Sequence, residues 1–206
     1  MTVPRTRRGR DSKGRIVAAA AELMYQRGVS ATSVEDVLRK SGAGKSQFYH
    51  YFSSREELVA EVLRYQLALV LEEQKHFRLD TWDGIGEWFE AMVSAQQGRR
   101  RFLGCPLGSL AGEVVQQGDL LRETAAEAFA RWREALVEGL AGLQAAGSLR
   151  GNVDLEAVAE STIATLQGGY MLSSATREIT PLRRASDIAL RLLKSYAPQD
   201  ATPRGQ

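Results

Sequence analysis

Between Lys40 and Leu58 the chain reads KSGAGKSQFYHYFSSREEL, and this one stretch holds the residue types of two different chemistries. SGAGKS has the glycines, lysine and serine of a loop whose backbone N–H groups wrap a nucleotide phosphate. The run that follows sets Phe48, Tyr49, His50, Tyr51 and Phe52 beside Arg55, types that lie along a nucleic-acid backbone. The first reading would make an enzyme, the second a DNA-binding regulator.

A phosphate-binding loop requires G-x-x-x-x-G-K-[ST] between a strand and a helix. Gly44-Lys45-Ser46 supplies the second half, but Arg39 stands where the first glycine belongs. The preceding TSVEDVLRKS has the pattern of a capped amphipathic helix, and no later apolar strand ends in an aspartate able to organise magnesium. No Ser/His/Asp set is paired. Two histidines, His50 and His76, and the single Cys105 leave little material for a zinc site. No enzyme activity, metal or cofactor is therefore expected.

The second reading uses every part of the stretch. Two short helices joined by a glycine-containing turn make a helix-turn-helix, whose second helix enters the major groove by its N-terminus. Gly44 is expected as the N-cap, with Lys45, Ser46 and Gln47 as an exposed first turn able to reach base edges or phosphates. Phe48 and Phe52 point to the core. Tyr49 and Tyr51 are expected on the surface with hydroxyls for phosphate oxygens, joined by His50. Arg55, in the first turn of the next helix, is expected to clamp the DNA backbone beside that helix's own N–H groups.

The elements that position these residues read as helices throughout, with no segment alternating like a strand. Ile16, Ala19, Ala20, Leu23 and Met24 form one apolar stripe, stopped by Gly28. Thr32 and Glu35 form a capping box for the next helix, from which Val34, Val37 and Leu38 face inward, and Gly42 ends it. A second box, Ser54 to Glu57, opens a long helix to about Lys75. Residues 10–52 thus read as three short helices. The boundaries are a basic flexible tail at 1–10, the helix-turn-helix domain at 11–55, a helical regulatory domain at 56–198 and a disordered end at 199–206.

Charge follows that division. Residues 1–55 hold eleven Lys/Arg against four Asp/Glu, a net of +7, and the rest hold sixteen against twenty-one, a net of −5. A basic segment on an acidic body is the footprint of a module that docks on a polyanion. Arg5, Arg7, Arg8 and Arg10 either join that surface or form a solvated tail. No run approaches eighteen apolar residues, the basic N-terminus lacks the apolar core of a signal peptide, and one cysteine fits a reducing, cytoplasmic setting.

Residues 11–65 resemble the N-terminal domain of the TetR family of transcriptional repressors. The match lies in the helix ending at Gly28, in TSVEDV and in SGAGKSQFYHYFSSREEL. The resemblance implies that Ser33, Lys45, Ser46, Gln47, Tyr49, Tyr51 and Arg55 hold positions that contact DNA. Leu38 stands where the family usually has alanine, Gly44 where a serine cap is common, and Gln47 where a small residue is common. The last departure means that no operator sequence can be carried over.

The fold class expected is all-α: a three-helix DNA-binding domain followed by a helical ligand-binding and dimerisation domain. One reading helix covers few base pairs, so a two-fold dimer on an inverted-repeat, double-stranded DNA operator is expected, its half-sites on the order of 34 Å apart or more. The last two long helices are candidates for the homodimer seam through Val158, Ile163, Leu166, Gly168, Gly169, Leu172, Ile188, Leu190, Leu192 and Leu193. By resemblance these helices pair with their copies as a four-helix bundle; packing within one chain is the alternative.

The middle helices would enclose a small apolar or aromatic effector. Trp88, Met92, Phe102, Leu107, Phe129, Trp132 and Tyr170 supply the large side chains, with Gln167 and Gln96 as polar anchors. Cys105 precedes Pro106 at a helix start, after Arg99, Arg100 and Arg101. Positive charge and the helix dipole favour thiolate, while a lone cysteine also serves as a small buried hydrophobe. The GCPLGSLAGE element, Gly104 to Glu113, resembles one in a subgroup of these regulators, some responding to electrophiles or oxidants. A thiol-sensing repressor acting through Cys105 is the alternative to a ligand-released one.

Overall fold

The computed structural model describes residues 7–97 and 102–198, and all regular structure within them is α-helical. In chain order the helices are α1 (Arg7–Arg27), α2 (Val34–Ser41), α3 (Lys45–Tyr51), α4 (Arg55–Gln74) and α5 (Trp82–Ser94). They continue with α6 (Pro106–Val114), α7 (Asp119–Ala145), α8 (Leu155–Thr176) and α9 (Thr180–Ser195). No described helix is long and apolar enough to cross a membrane. The chain is all-α. Residues 1–6 of the expected tail, Arg99 to Arg101 and the expected disordered end at 199–206 lie outside the described residues. The helix begins at Arg7, so residues 7–10 belong to α1.

Two compact units divide the chain, and they do not follow sequence order. One holds the described residues up to Glu72 together with Leu103–Arg131; the other holds Glu73–Phe102 and the chain from Trp132 onward. In the first, the stripe read from sequence is the core of α1: Ile16, Ala19, Ala20, Leu23 and Met24 are all buried. Gly28 ends α1 with φ +90, a conformation that side chains rarely adopt.

The cap of α2 lies one residue later than the sequence reading put it. Ser33 Oγ accepts from Asp36 N–H at 3.1 Å, and the Asp36 carboxylate accepts from Ser33 N–H at 3.2 Å and from the Ser33 hydroxyl at 2.7 Å. Thr32 is buried, and its hydroxyl donates to Gly28 O at 2.8 Å. The expected box at Ser54 is half formed: Ser54 Oγ accepts from Glu57 N–H, while the Glu57 carboxylate accepts from Ser53 N–H.

In the second unit, Thr81 caps α5, and two glycines of α7 let that helix lie close against the turn before it. A Cβ at Gly139 would meet Leu79 Cβ at 2.5 Å, and one at Gly142 would meet Asp80 Cβ at 2.6 Å. Trp132 Nε1 donates to Gln74 Oε1 at 3.0 Å, both side chains being buried. Helices α8 and α9 pack as an antiparallel pair, tied where Ser173 Oγ accepts from Leu182 N–H at 2.9 Å.

Candidate nucleic-acid interface

Helix α3 is two turns long, and its register decides which of its side chains can meet a partner. Phe48, Tyr51 and Phe52 fall at i, i+3 and i+4, and all three are buried. Lys45, Ser46, Tyr49 and His50 occupy the opposite face and are exposed, Tyr49 at 56%. Tyr49 stands edge-on to Phe48 with centroids 5.2 Å apart. Gly44 is the N-cap as expected, with no side-chain cap bond, so the first turn of α3 is uncovered.

Three residues sit differently from the sequence reading. Tyr51 was expected on the surface but is 6% exposed, because position 51 follows Phe48 by three residues and turns inward with it. Gln47, expected to read bases, is half-buried, and its Nε2 donates to Ser12 Oγ at 2.6 Å, tying α3 to α1. Arg55, expected to clamp DNA, is half-buried, and its Nη2 donates to the carbonyls of Val29 and Thr32, the latter at 3.3 Å. Ser33 is exposed, with its hydroxyl engaged in the α2 cap.

The cations of this motif divide in the same way. Arg39 pairs with Asp36, Lys40 pairs with Glu22 at 2.8 Å, and Arg55 is held by backbone carbonyls. The Asp36 carboxyl is held below its ordinary range, first by the Ser33 hydroxyl and then by the Ser33 backbone; Glu22 is lowered chiefly by Lys40. Lys45 has no ion-pair or hydrogen-bond partner among the described residues. The exposed face of α3 therefore presents one uncommitted ammonium, two hydroxyls and an imidazole. These are donors for phosphate oxygens and base edges, with no carboxylate on α3 to oppose them.

The residues expected around an effector fall into both units. Trp88, Met92, Phe102, Trp132, Gln167 and Tyr170 belong to one; Cys105, Leu107 and Phe129 belong to the other. Within the first set, Phe102 and Tyr170 bring their rings to 6.3 Å, and Trp88 stacks at a tilt on Phe89 at 5.1 Å. Gln96 Oε1 and Gln167 Nε2 are buried with no hydrogen-bond partner among the described residues. In the other set, Leu107 is fully buried, Phe129 is half-buried, and Cys105 is buried as the N-cap of α6, its Sγ accepting from Gly108 N–H at 3.4 Å.

The residues named for a seam on α8 and α9 also point two ways. Val158, Ile163, Leu166, Gly169 and Leu193 are buried within the chain. Leu172, Ile188 and Leu192 are exposed, and so is Met171 at 66%, which the sequence reading passed over.

Residues 16–62 match the family model for bacterial regulatory proteins, tetR family, and residues 85–189 match that for the tetracyclin repressor-like C-terminal domain. The HTH-type transcriptional regulator LmrA of Bacillus subtilis (strain 168) is 28% identical over 201 residues, spanning 89% of this chain and 97% of its own length. An HTH-type transcriptional regulator in the lacX 3' region of Lactococcus lactis subsp. lactis is 26% identical over 186 residues, 87% of this chain and 91% of that one. The crystal structure of a TetR transcriptional regulator from Chloroflexus aurantiacus J-10-FL superposes with a TM-score of 0.77 at 26% identity, covering 93% of this chain and 98% of its own.

Proposed function

This chain belongs to the tetR family of bacterial regulatory proteins, and from that premise we propose that it is a homodimeric repressor released from its operator by a small molecule. Members of the family are DNA-binding transcriptional regulators. The observation that carries the DNA-contact reading is the solvent face of α3, where Lys45, Ser46, Tyr49 and His50 stand together with no acid on the helix. In this reading Lys45 and Ser46 meet base edges or phosphates, and Tyr49 and His50 meet the backbone. Gln47, Tyr51 and Arg55 hold the helix in place rather than touch DNA.

Two copies are needed to span two half-sites. Met171, Leu172, Ile188 and Leu192 leave an apolar face on α8 and α9, a pair of helices otherwise packed on each other, and this supports dimerisation through them. The effector reading is supported by the aromatic pair Phe102 and Tyr170, with Gln167 one turn before Tyr170 on α8. Gln96 Oε1 and Gln167 Nε2 are buried polar atoms that, among the described residues, lack the partners such groups normally have. An apolar or aromatic molecule with a hydrogen-bonding group fits those surroundings. Cys105 is buried and serves as a helix cap, so no observation favours thiol sensing over packing.

The test is binding of the purified protein to genomic DNA fragments, titrated across salt in the cytoplasmic range. Saturable binding to one short inverted repeat, weakening as salt rises, is the expected result. Binding of equal strength to every fragment would remove the specific-regulator reading. An effector found by screening must weaken operator binding and be weakened by operator to the same factor.

A further inference from the structure

Glu113 lies on α6, outside the helix-turn-helix, yet its carboxylate is built into the turn from which that motif starts. Gly28 N–H donates to Met24 O at 2.8 Å, and this is the simple left-handed form of a helix end. That form satisfies one amide and leaves the next, Val29 N–H, with no helical acceptor. Val29 is fully buried, and Glu113 Oε2 accepts from its N–H at 2.7 Å. The same carboxylate lies beside Gly28, where a Cβ would meet its oxygens at 3.1 and 3.2 Å. The carbonyls of Gly28, Val29 and Thr32 are served locally or by α4. Thr32 donates to Gly28 O and to Val29 O, and Arg55 donates to Val29 O and Thr32 O.

A second tie lies at the opposite end of the same element. Tyr25, in the last turn of α1, donates its hydroxyl to Gly104 O at 2.8 Å, immediately before the Cys105 cap of α6. The GCPLGSLAGE stretch therefore docks on the end of α1 through its first residue, Gly104, and its last, Glu113. Helix α2 starts at Val34, and α3 follows after Gly42–Gly44. An angular error in the turn at residues 28–32 is carried through both short helices to the exposed face of α3.

We propose that Glu113 is a positioning residue for DNA recognition, setting the turn that orients α2 and α3. The proposal rests on the reading of α3 as the DNA-reading helix. In the experiment, wild-type full-length chain selects its preferred duplex from random-sequence DNA. Affinities for that duplex and for a scrambled one are then measured for wild type, Glu113→Ala, Glu113→Gln and Tyr25→Phe. Glu113→Ala should lose about ten-fold on the selected duplex, the effect of one charge-assisted hydrogen bond, and much less on the scrambled one. Glu113→Gln keeps an acceptor oxygen for Val29 N–H and should restore most of the loss. Hydrogen exchange at the Val29 amide should quicken in Glu113→Ala and not in Glu113→Gln.

A Glu113→Ala affinity within about two-fold of wild type overturns the proposal, as does an equal loss on both duplexes. If Glu113→Ala does not fold, Tyr25→Phe decides, with a selective loss of about three-fold expected and none overturning the proposal. A wild-type chain that selects no sequence overturns the DNA-reading premise, and the proposal with it.

Discussion

Arg55→Ala separates two roles that the same side chain could play, and the structure gives each a size. The guanidinium donates to Val29 O and Thr32 O, and Val29 O has a second donor in Thr32 N–H at 3.1 Å. Removing Arg55 therefore orphans chiefly the carbonyl of Thr32, a residue only 1% exposed. A hydrogen bond with a charged partner contributes about 1.5–3 kcal/mol net, and one bond of the two is lost without replacement, so about 2 kcal/mol is expected. In a chain of this size each kcal/mol moves Tm by about 2–4 °C, which gives a drop of about 4–8 °C. A phosphate contact would show elsewhere, in the slope of log Kobs against log salt, which changes by about 0.9 per phosphate neutralised. Arg55→Ala should melt early and keep the wild-type salt slope. Lys45→Ala should do the reverse, losing about one unit of slope with little change in Tm. The assays are thermal unfolding and fluorescence anisotropy on the selected duplex across a salt series. An Arg55→Ala protein with unchanged Tm and a slope reduced by about one would show that the arginine clamps DNA, and the assignment made from geometry would fall.

Ile188→Glu combined with Leu192→Glu places charge on the exposed face of α9 and should give a monomer in sedimentation, with loss of cooperative operator binding. Trp132→Phe leaves the buried Gln74 Oε1 without its indole donor and should cost about 1–3 kcal/mol in denaturant titration; adding Gln74→Leu should recover part of this. The Asp36 carboxyl is depressed below its ordinary value of 3.8, first by the Ser33 hydroxyl. Its contribution to the α2 cap is thus fully present above that value and lost as pH falls through the lower folded one. Asp36→Asn should remove the contribution at neutral pH and flatten the acid limb of a circular-dichroism pH titration.

Much of the fold was legible because the signals are local. The α1 stripe, the stop at Gly28, the Gly44 cap and the inward Phe48 and Phe52 depend on residues within a turn or two of one another. The burial of Tyr51 follows from the same local register, since 48, 51 and 52 share one helical face, although a tyrosine hydroxyl also suits a phosphate. The α2 cap was ambiguous in kind. Thr32/Glu35 and Ser33/Asp36 have the same spacing and compatible chemistry, and burial of Thr32 against Gly28 O decides between them. Arg55 and Gln47 were not legible, because their partners lie 23 to 35 residues away and become neighbours only when α1, α3 and α4 pack. The bond from Val29 N–H to Glu113 spans 84 residues, so nothing local in the GCPLGSLAGE element could point to it. On α8 and α9 the apolar residues outnumber one face, and the sequence pattern does not distinguish the side that packs inward from the side left exposed.

The charge count of the N-terminal segment overstates what α3, as the proposed reading helix, can give to DNA. Arg39, Lys40 and Arg55 are occupied within the domain, which leaves Lys45 as the uncommitted cation among the described residues of α2, α3 and the first position of α4. If Lys45 is the one cation these elements bring to DNA, one phosphate neutralised per copy is a small electrostatic term beside the roughly six to ten that give steep salt dependence in specific binders. Hydroxyls of Ser46 and Tyr49 add direction rather than net charge. If specific affinity is built on so few groups per copy, it depends on two copies acting together, since joining two sites makes the second binding event intramolecular. Separating the copies at α9 should therefore cost more operator affinity than any single substitution on α3. An Ile188→Glu, Leu192→Glu monomer that bound the full inverted repeat better than dimeric Lys45→Ala would contradict that ordering. It would mean that each copy holds further DNA contacts beyond the exposed face of α3.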